Sequence, residues 1–289
     1  MRFKKLEMNE TTRELFQTII RDYINQVRDE LFNRLDNWSS DFKEQEKYEV
    51  VGAILARQVN LAVELAMAPI TWNPVIGPLV LRAMTDNYIN LAWIFGDPFE
   101  RSRQFIAYGL GQEKLQIEHL RAEISTAKKD PDTNEEVKVR TAWLDSQRYI
   151  FLTEVTVGSW SGLDARKMAE AAGCIDLYNY RFQPLSSATH STWNYIAKYN
   201  LKTCPNPLHK FHRIPIMPNY GNDLDILLFA ADLVQMAFDK FDSETANESI
   251  PASANQELLM KLEETGNSLD LDSVKEENNL PKAEDIPIS

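Results

Sequence analysis

PLVLRAMTDNYINLAWIF, residues 78–95, decides the fold. Its polar positions do not alternate as they would on a strand: Arg82, Asp86 and Asn90 recur every fourth residue and share one face of a helix whose other faces are apolar. The same period extends on both sides. Asn9 to Trp38 carries Leu15, Ile19, Tyr23, Val27, Leu31 and Leu35 on one stripe, with Phe16, Ile20 and Ile24 beside it, and Thr11 with Glu14 forms a capping box. Gln45 to Met67 repeats the stripe through Tyr48, Val51, Leu55, Val59, Ala62 and Leu65. Pro69 and Pro74 punctuate the chain before Val75 to Phe95 resumes as a helix stopped at Gly96. Asp97-Pro98 opens a segment to about Lys128, and the turn Lys129-Asp130-Pro131-Asp132 closes it. The spacing predicts further helices over Glu135 to Val157, Asp164 to Ala172 and Pro184 to Asn200. After a loop over 201–220 with four prolines, Asn222 caps a last helix to Phe241, with Leu224, Leu227, Leu228, Ala231, Val234, Phe238 and Phe241 inward. No alternating strand pattern and no fixed repeat is present, so the expected fold class is all-α, a single bundle of about seven or eight helices.

Charge divides the chain. The whole carries 43 acids against 31 bases, a net of −12. Residues 243–289 hold eleven of those acids and only three lysines, net −8, which leaves −4 for residues 1–242. The terminal segment has no aromatic residue and is rich in Ser, Asn, Glu and Pro, so the expected organisation is a helical domain over 1–242 and a disordered acidic tail over 243–289. Within the tail, Leu258, Leu259 and Leu262 line one face of a short helix that suits a protein partner's groove. The acidity disfavours duplex nucleic acid over the surface as a whole, although a local anion site remains compatible with a body at −4. Two cysteines, Cys174 and Cys204, exclude a cystine framework. MRFKKLEMNETTREL at the start has no signal-peptide core, and the apolar stretch Ala53 to Phe95 is broken by charged and polar residues. A cytoplasmic protein with no membrane association is therefore expected.

The polar stripe of 82–90 has a counterpart. PLSSATHSTWNYIAKY, residues 184–199, places Ser186, His190 and Asn194 at the same spacing, with Ser187 and Ser191 beside them. If the stripes face each other, an arginine, a carboxylate, a histidine and hydroxyls converge in a low-dielectric interior. The candidate catalytic residues are Arg82 for phosphate charge, Asp86 to orient it, His190 to move a proton and Ser187 to hold substrate; Asn90, Ser186 and Asn194 are candidate substrate-binding residues. Lys210 and Arg213 join them from HKFHR, residues 209–213, the densest basic and aromatic cluster. The competing expectation is structural: an Arg82–Asp86 pair with neighbouring hydroxyls fixes how helices pack, or seals a pocket or a dimer seam. Cys204, His209 and His212 are the only spacing that hints at a metal. With no fourth ligand evident and prolines between, no metal and no cofactor is expected. Phosphate loops, GxGxxG, GxSxG and HExxH are absent.

Taken together, LVLRAMTDNYINLAWIF (79–95), RSRQFIAY (101–108), WSGLDARKMAEAAG (160–173) and YNYRFQPLSSATHSTW (178–193) resemble a bacterial family known only as a domain of unknown function, over residues of about 75–200. The family's usual second acid is glutamate; here it is Asp86, one methylene shorter. The resemblance implies a helical protein with a polar core cluster of Arg82, Asp86, Ser187 and His190. A looser similarity leads to the HEPN helical ribonucleases of toxin and phage-defence systems, which pair an Arg with a His four to six residues on. Here Arg181 precedes His190 with eight residues between. Two expectations follow: a HEPN-like, metal-independent RNA-cleaving effector acting on RNA or another phosphate-bearing ligand, or a non-enzymatic binding or scaffold module, in either case with homo-oligomers allowed.

Overall fold

A computed structural model describes residues 10–38, 42–147, 149, 158–245 and 253–268. Within them eleven α-helices follow in order: α1 (Glu10–Asn37), α2 (Gln45–Met67), α3 (Gly77–Ile94), α4 (Pro98–Thr126), α5 (Glu135–Asp145), α6 (Ala165–Ala171), α7 (Ile175–Leu177), α8 (Gln183–Thr189), α9 (Trp193–Tyr199), α10 (Leu224–Thr245) and α11 (Ala254–Ser268). A two-stranded antiparallel hairpin, β1 (Leu201–Thr203) and β2 (Arg213–Pro215), lies between α9 and α10. The all-α class stands, with more and shorter helices than the periodicity indicates.

α2 is the central element. It packs on α1, α3, α4 and α10, and its Val51, Leu55, Val59, Ala62, Val63 and Ala66 are fully buried. Among the described helices α2 alone is long and apolar enough to cross a membrane by length and composition, and 56% of its most apolar window is buried within this bundle. Polar groups set the register of the inner helices. Buried Gln58 of α2 donates to the Leu233 carbonyl of α10 at 3.1 Å, and its amide oxygen accepts from Asn87 of α3 at 2.9 Å. Such groups cost free energy unless paired, so they permit few alternative sliding positions of three otherwise greasy surfaces. Gly77, where α3 crosses α10, belongs there sterically: a Cβ would meet the Ile226 side chain at 2.6 Å.

Three segments depart from the expected boundaries. The helix predicted over Glu135 to Val157 stops at Asp145, where the Ser146 hydroxyl and the Gln147 amide both donate to the Trp143 carbonyl, competing with helical bonding. Residues 148 and 150–157 of that prediction lie outside the described residues. The helix predicted over Pro184 to Asn200 is two helices, because Ser191 adopts φ 49° and Thr192 turns back to donate to the Ser187 carbonyl at 3.1 Å. Upstream, Pro184 has no N–H to give, and a π-turn over Tyr178–Phe182 precedes α8, with Gln183 N bonded to Tyr178 O. The 201–220 loop holds the hairpin, whose strands are too short to show a period.

Helices occupy part of the segment that composition assigns to the tail. α10 runs to Thr245, and α11 packs along α1 with Ala254 and Leu258 buried. Residues 246–252 and 269–289 lie outside the described residues. The groove that Leu258 and Leu262 fill is therefore within the chain itself, and Leu259 is the one of the three leucines that stays exposed. What ties α11 down is a buried charge cluster that helix-stripe arguments pass over. Arg34 of α1, 4% exposed, makes a forked pair with Asp242 of α10 at 2.8–3.1 Å, bonds Glu30 one turn back, and lies over the Phe238 ring at 4.1 Å. Glu30 in turn accepts from the Ala254 backbone N–H at the start of α11. Burial pushes the Glu30 carboxyl above its ordinary range, opposed by the Ala254 N–H and by Arg34.

Arg34→Ala leaves two carboxylates buried without their cation and is expected to lower the unfolding free energy by about 3–5 kcal/mol in chemical denaturation at neutral pH. Leu258→Ala is expected to cost roughly 2–5 kcal/mol, because α11 is part of the core; a melting temperature equal to wild type would show that α11 does not dock.

Candidate functional site

α3 and α8 pack side by side, so the two polar stripes do meet. Only part of each takes part. Arg82 Nε donates to Ser186 Oγ at 2.9 Å, its terminal nitrogen bonds Asp86, and its guanidinium lies over Phe182, 3.3 Å from the ring centroid. The Ser186 hydroxyl passes the bond on to the Phe182 carbonyl at 2.9 Å. Arg82 is thus clamped by an aromatic face, a hydroxyl and a carboxylate, with 13% of its side-chain surface exposed against 46% for Asp86. Burial raises the Asp86 carboxyl pKa, and the Arg82 charge and hydrogen bond pull it back down. This is the geometry of an interhelix pin: Nε and one terminal nitrogen of the guanidinium donate to protein, and the Phe182 ring lies against it.

The remaining candidates do not join that cluster. Ser187 and Asn194 bond each other at 3.2 Å, and Asn194 also accepts from the Thr192 hydroxyl, so this trio ties the turn between α8 and α9. His190 is the C-cap of α8 and exposed; its backbone N–H bonds Ser186 O, and among the described residues no hydrogen bond, ion pair or ring contact reaches its imidazole. Asn90 sits half-buried at the far end of the α3 stripe. The convergence of Arg82, Asp86, Ser187 and His190 expected from the spacing is therefore not formed: the turn at Ser191 ends the stripe, and α8 carries only Ser186 to Arg82.

A second region joins residues of α9 to residues of the hairpin. A surface groove of about 410 Å³ runs between α9 and the hairpin, lined by Asn194, Lys198, Lys202, Thr203 and Arg213 with Ala197 and Leu201. Of the residues expected to bind substrate, Asn194 and Arg213 line it, whereas Lys210 projects from the hairpin loop as an exposed residue. Lys198 follows Asn194 by one turn of α9 and continues the spacing of Ser186, His190 and Asn194, whereas Lys202, Thr203 and Arg213 come from strands too short to show a period; the strand register Thr203↔Arg213 brings these last together. Tyrosines tie α9 to its surroundings: Tyr195 donates to the Pro74 carbonyl, Tyr220 to the Tyr199 carbonyl, and burial pushes the Tyr195 hydroxyl up to about 12.

At the outer end of the same hairpin the side chains of Cys204, His209 and His212 converge, with their ligand-capable atoms all within 4.8 Å of one another. The other cysteine, Cys174, is half-buried, and burial raises its thiol pKa.

The profile of a family of unknown function, DUF5677, matches residues 48–206, more than half of the chain. The chain belongs to that family. The DUF5677 match takes in α2 through α9, the Arg82 pin, β1 and Cys204, and is wider than the 75–200 span of the motifs by nearly all of α2. α1, β2, α10 and α11 lie outside it, so much of the core and the far wall of the basic groove come from flanking sequence. No curated protein and no solved structure matches the chain.

Arg82→Ala is expected to destabilise the fold by about 2 kcal/mol at pH 7, less than for a sealed pair because Asp86 keeps part of its water. With Arg82 gone, nothing opposes the burial that raises Asp86, and a carboxyl raised in the fold loses stability as pH rises through its folded pKa. The deficit should therefore shrink as pH falls toward about 4, measured as melting temperature against pH for variant and wild type.

Proposed function

We propose that this protein is a non-enzymatic binding module for a phosphate-bearing ligand, single-stranded RNA in the first instance, held in the groove between α9 and the hairpin. The observation that carries this reading is the lining of that groove: Lys198, Lys202 and Arg213 with the neutral hydrogen-bonding side chains Asn194 and Thr203, and no acid, on a chain of net charge −12. Three cations gathered against so acidic a background concentrate positive potential where a phosphate backbone releases counterions, and a guanidinium adds forked donation to phosphate oxygens. Two exposed aromatic residues neighbour the groove residues in the chain. Trp193, 71% exposed, precedes Asn194, and Phe211, 98% exposed, lies two residues before Arg213. Cationic grooves bordered by open aromatic faces suit single strands, whose unpaired bases stack on such rings.

The RNA-cleaving reading has less behind it. It needs a proton-moving group beside a phosphate-stabilising one, and Arg82 is committed to Ser186, Asp86 and Phe182 while His190 faces solvent at the end of α8.

Fluorescence anisotropy with a labelled single-stranded RNA tests the proposal. Wild type should bind with an affinity that falls steeply with salt. Lys198→Glu/Lys202→Glu/Arg213→Glu should weaken binding at least tenfold and flatten the log–log salt slope by roughly one for each phosphate no longer neutralised. Intact RNA after prolonged incubation is expected. Binding of equal strength and slope in the triple variant, with its helical circular dichroism unchanged, would place the ligand elsewhere or nowhere.

A further inference from the structure

We infer that Cys204, His209 and His212 form a site for one divalent zinc-class ion that clips the hairpin loop closed. The three residues come together through strand register. The ladder pairs Leu201 with Pro215, Lys202 with Ile214 and Thr203 with Arg213, and it continues one step into the loop, where Cys204 N–H bonds the His212 carbonyl at 2.9 Å. Cys204 and His212 thus stand opposite each other at the mouth of the loop. The segment between them folds back. Asn206 Oδ1 accepts from Leu208 N–H at 3.0 Å, His209 N–H bonds Asn206 O at 3.0 Å, and His212 N–H bonds His209 O at 3.2 Å. The last turn is made by Phe211 in the left-handed region at φ 61°, an uncommon conformation for an aromatic residue. The result sets His209 Nδ1 3.7 Å from Cys204 Sγ and the two imidazole rings 5.3 Å apart between centroids.

The separation of Cys204 Sγ from His209 Nδ1 is close to the one a tetrahedral metal requires. Zinc bonds of about 2.3 Å to sulfur and 2.0–2.1 Å to imidazole nitrogen place neighbouring ligand atoms about 3.3–3.6 Å apart. The Sγ to Nδ1 distance is within a few tenths of an ångström of this, and the 4.8 Å that bounds all three atoms is closed by small rotations of exposed side chains. The donor set, one thiolate with two imidazoles, selects a borderline-soft ion over magnesium or calcium, which take oxygen. Three protein ligands leave a fourth position for water, since both histidines are exposed.

The loop has little core burial to order it. Leu208 is 88% and Phe211 98% exposed, and a lone hairpin of two three-residue strands is marginal by itself. Binding of an ion supplies ordering free energy at this point, with the Cys204 thiol proton released to solvent as the thiolate bonds the metal. This site is separate from the basic groove, and either can exist without the other.

The test uses the full chain, reduced and stripped with a chelator. Cobalt(II) should give the visible ligand-field bands and thiolate charge-transfer absorption of tetrahedral coordination at one ion per chain, and zinc should displace it. Cys204→Ser should remove the thiolate charge-transfer band, His212→Gln should lower affinity at least tenfold, and Cys174→Ser should leave both unchanged; helical circular dichroism should hold in the two hairpin variants, because the hairpin lies outside the core. Absence of the tetrahedral spectrum in wild type, or its survival in both Cys204→Ser and His212→Gln, overturns the assignment.

Discussion

A charged side chain taken out of water must find its counter-charge inside the protein, and Arg34 carries that constraint for this fold. It is nearly sealed, so its partners have to come to it: Asp242 from α10 and Glu30 from its own helix, with Phe238 beneath the guanidinium. Glu30 then bonds the first turn of α11. One cation thereby fixes the mutual position of three helices, two of them remote in sequence from the first. Hydrophobic burial supplies most of the driving force but is indifferent to register; the charge cluster is not, because a shift by one turn leaves ions unpaired at a cost of several kcal/mol.

The same device recurs at smaller scale. Arg82 joins α3 to α8 across Phe182, and Arg101 at the start of α4 lies over Trp93 at 4.0 Å and bonds its carbonyl. Gly96 is the residue that permits this last approach, since a Cβ there would collide with the Arg101 guanidinium. Planar guanidinium groups stacked on rings thus serve as pins in a bundle whose other contacts are largely aliphatic. This changes what an arginine on an apolar helix signifies. Arg82 has the surroundings of a pin, whereas the cations with room for a ligand, Lys198, Lys202 and Arg213, stand on α9 and the hairpin.

Most of the helical body was legible because the apolar stripes of α1, α2, α3 and α10 are long and each is one-sided. The errors are local and have physical causes. Ser191 in a left-handed conformation, the side chains of Ser146 and Gln147, and Pro184 each divert backbone hydrogen bonds in ways that periodicity does not register. The spacing of Arg82 with Asp86, and the encounter of that pair with Ser186, were readable; the exclusion of His190 was not, because it depends on the single turn at Ser191. Glu30 and Arg34 sit in a helix of many charges and carry no mark of burial in their order. Composition likewise misassigned α11: an acidic, aromatic-free segment is held by a leucine against α1 and by the Glu30 cap.

The sequence by itself determined the class of the fold, the faces of its long helices and the pairing of Arg82 with Asp86, since each of these follows from neighbours within one or two turns, and its family, through the order of motifs along the chain. Only the tertiary structure decided which charged residues are buried, that α11 closes the bundle, and that Cys204, His209 and His212 meet beside a basic groove. Those features depend on contacts between segments far apart in the chain or on strand register. Periodicity records which way a side chain faces on its own element, and it is packing that decides what stands opposite.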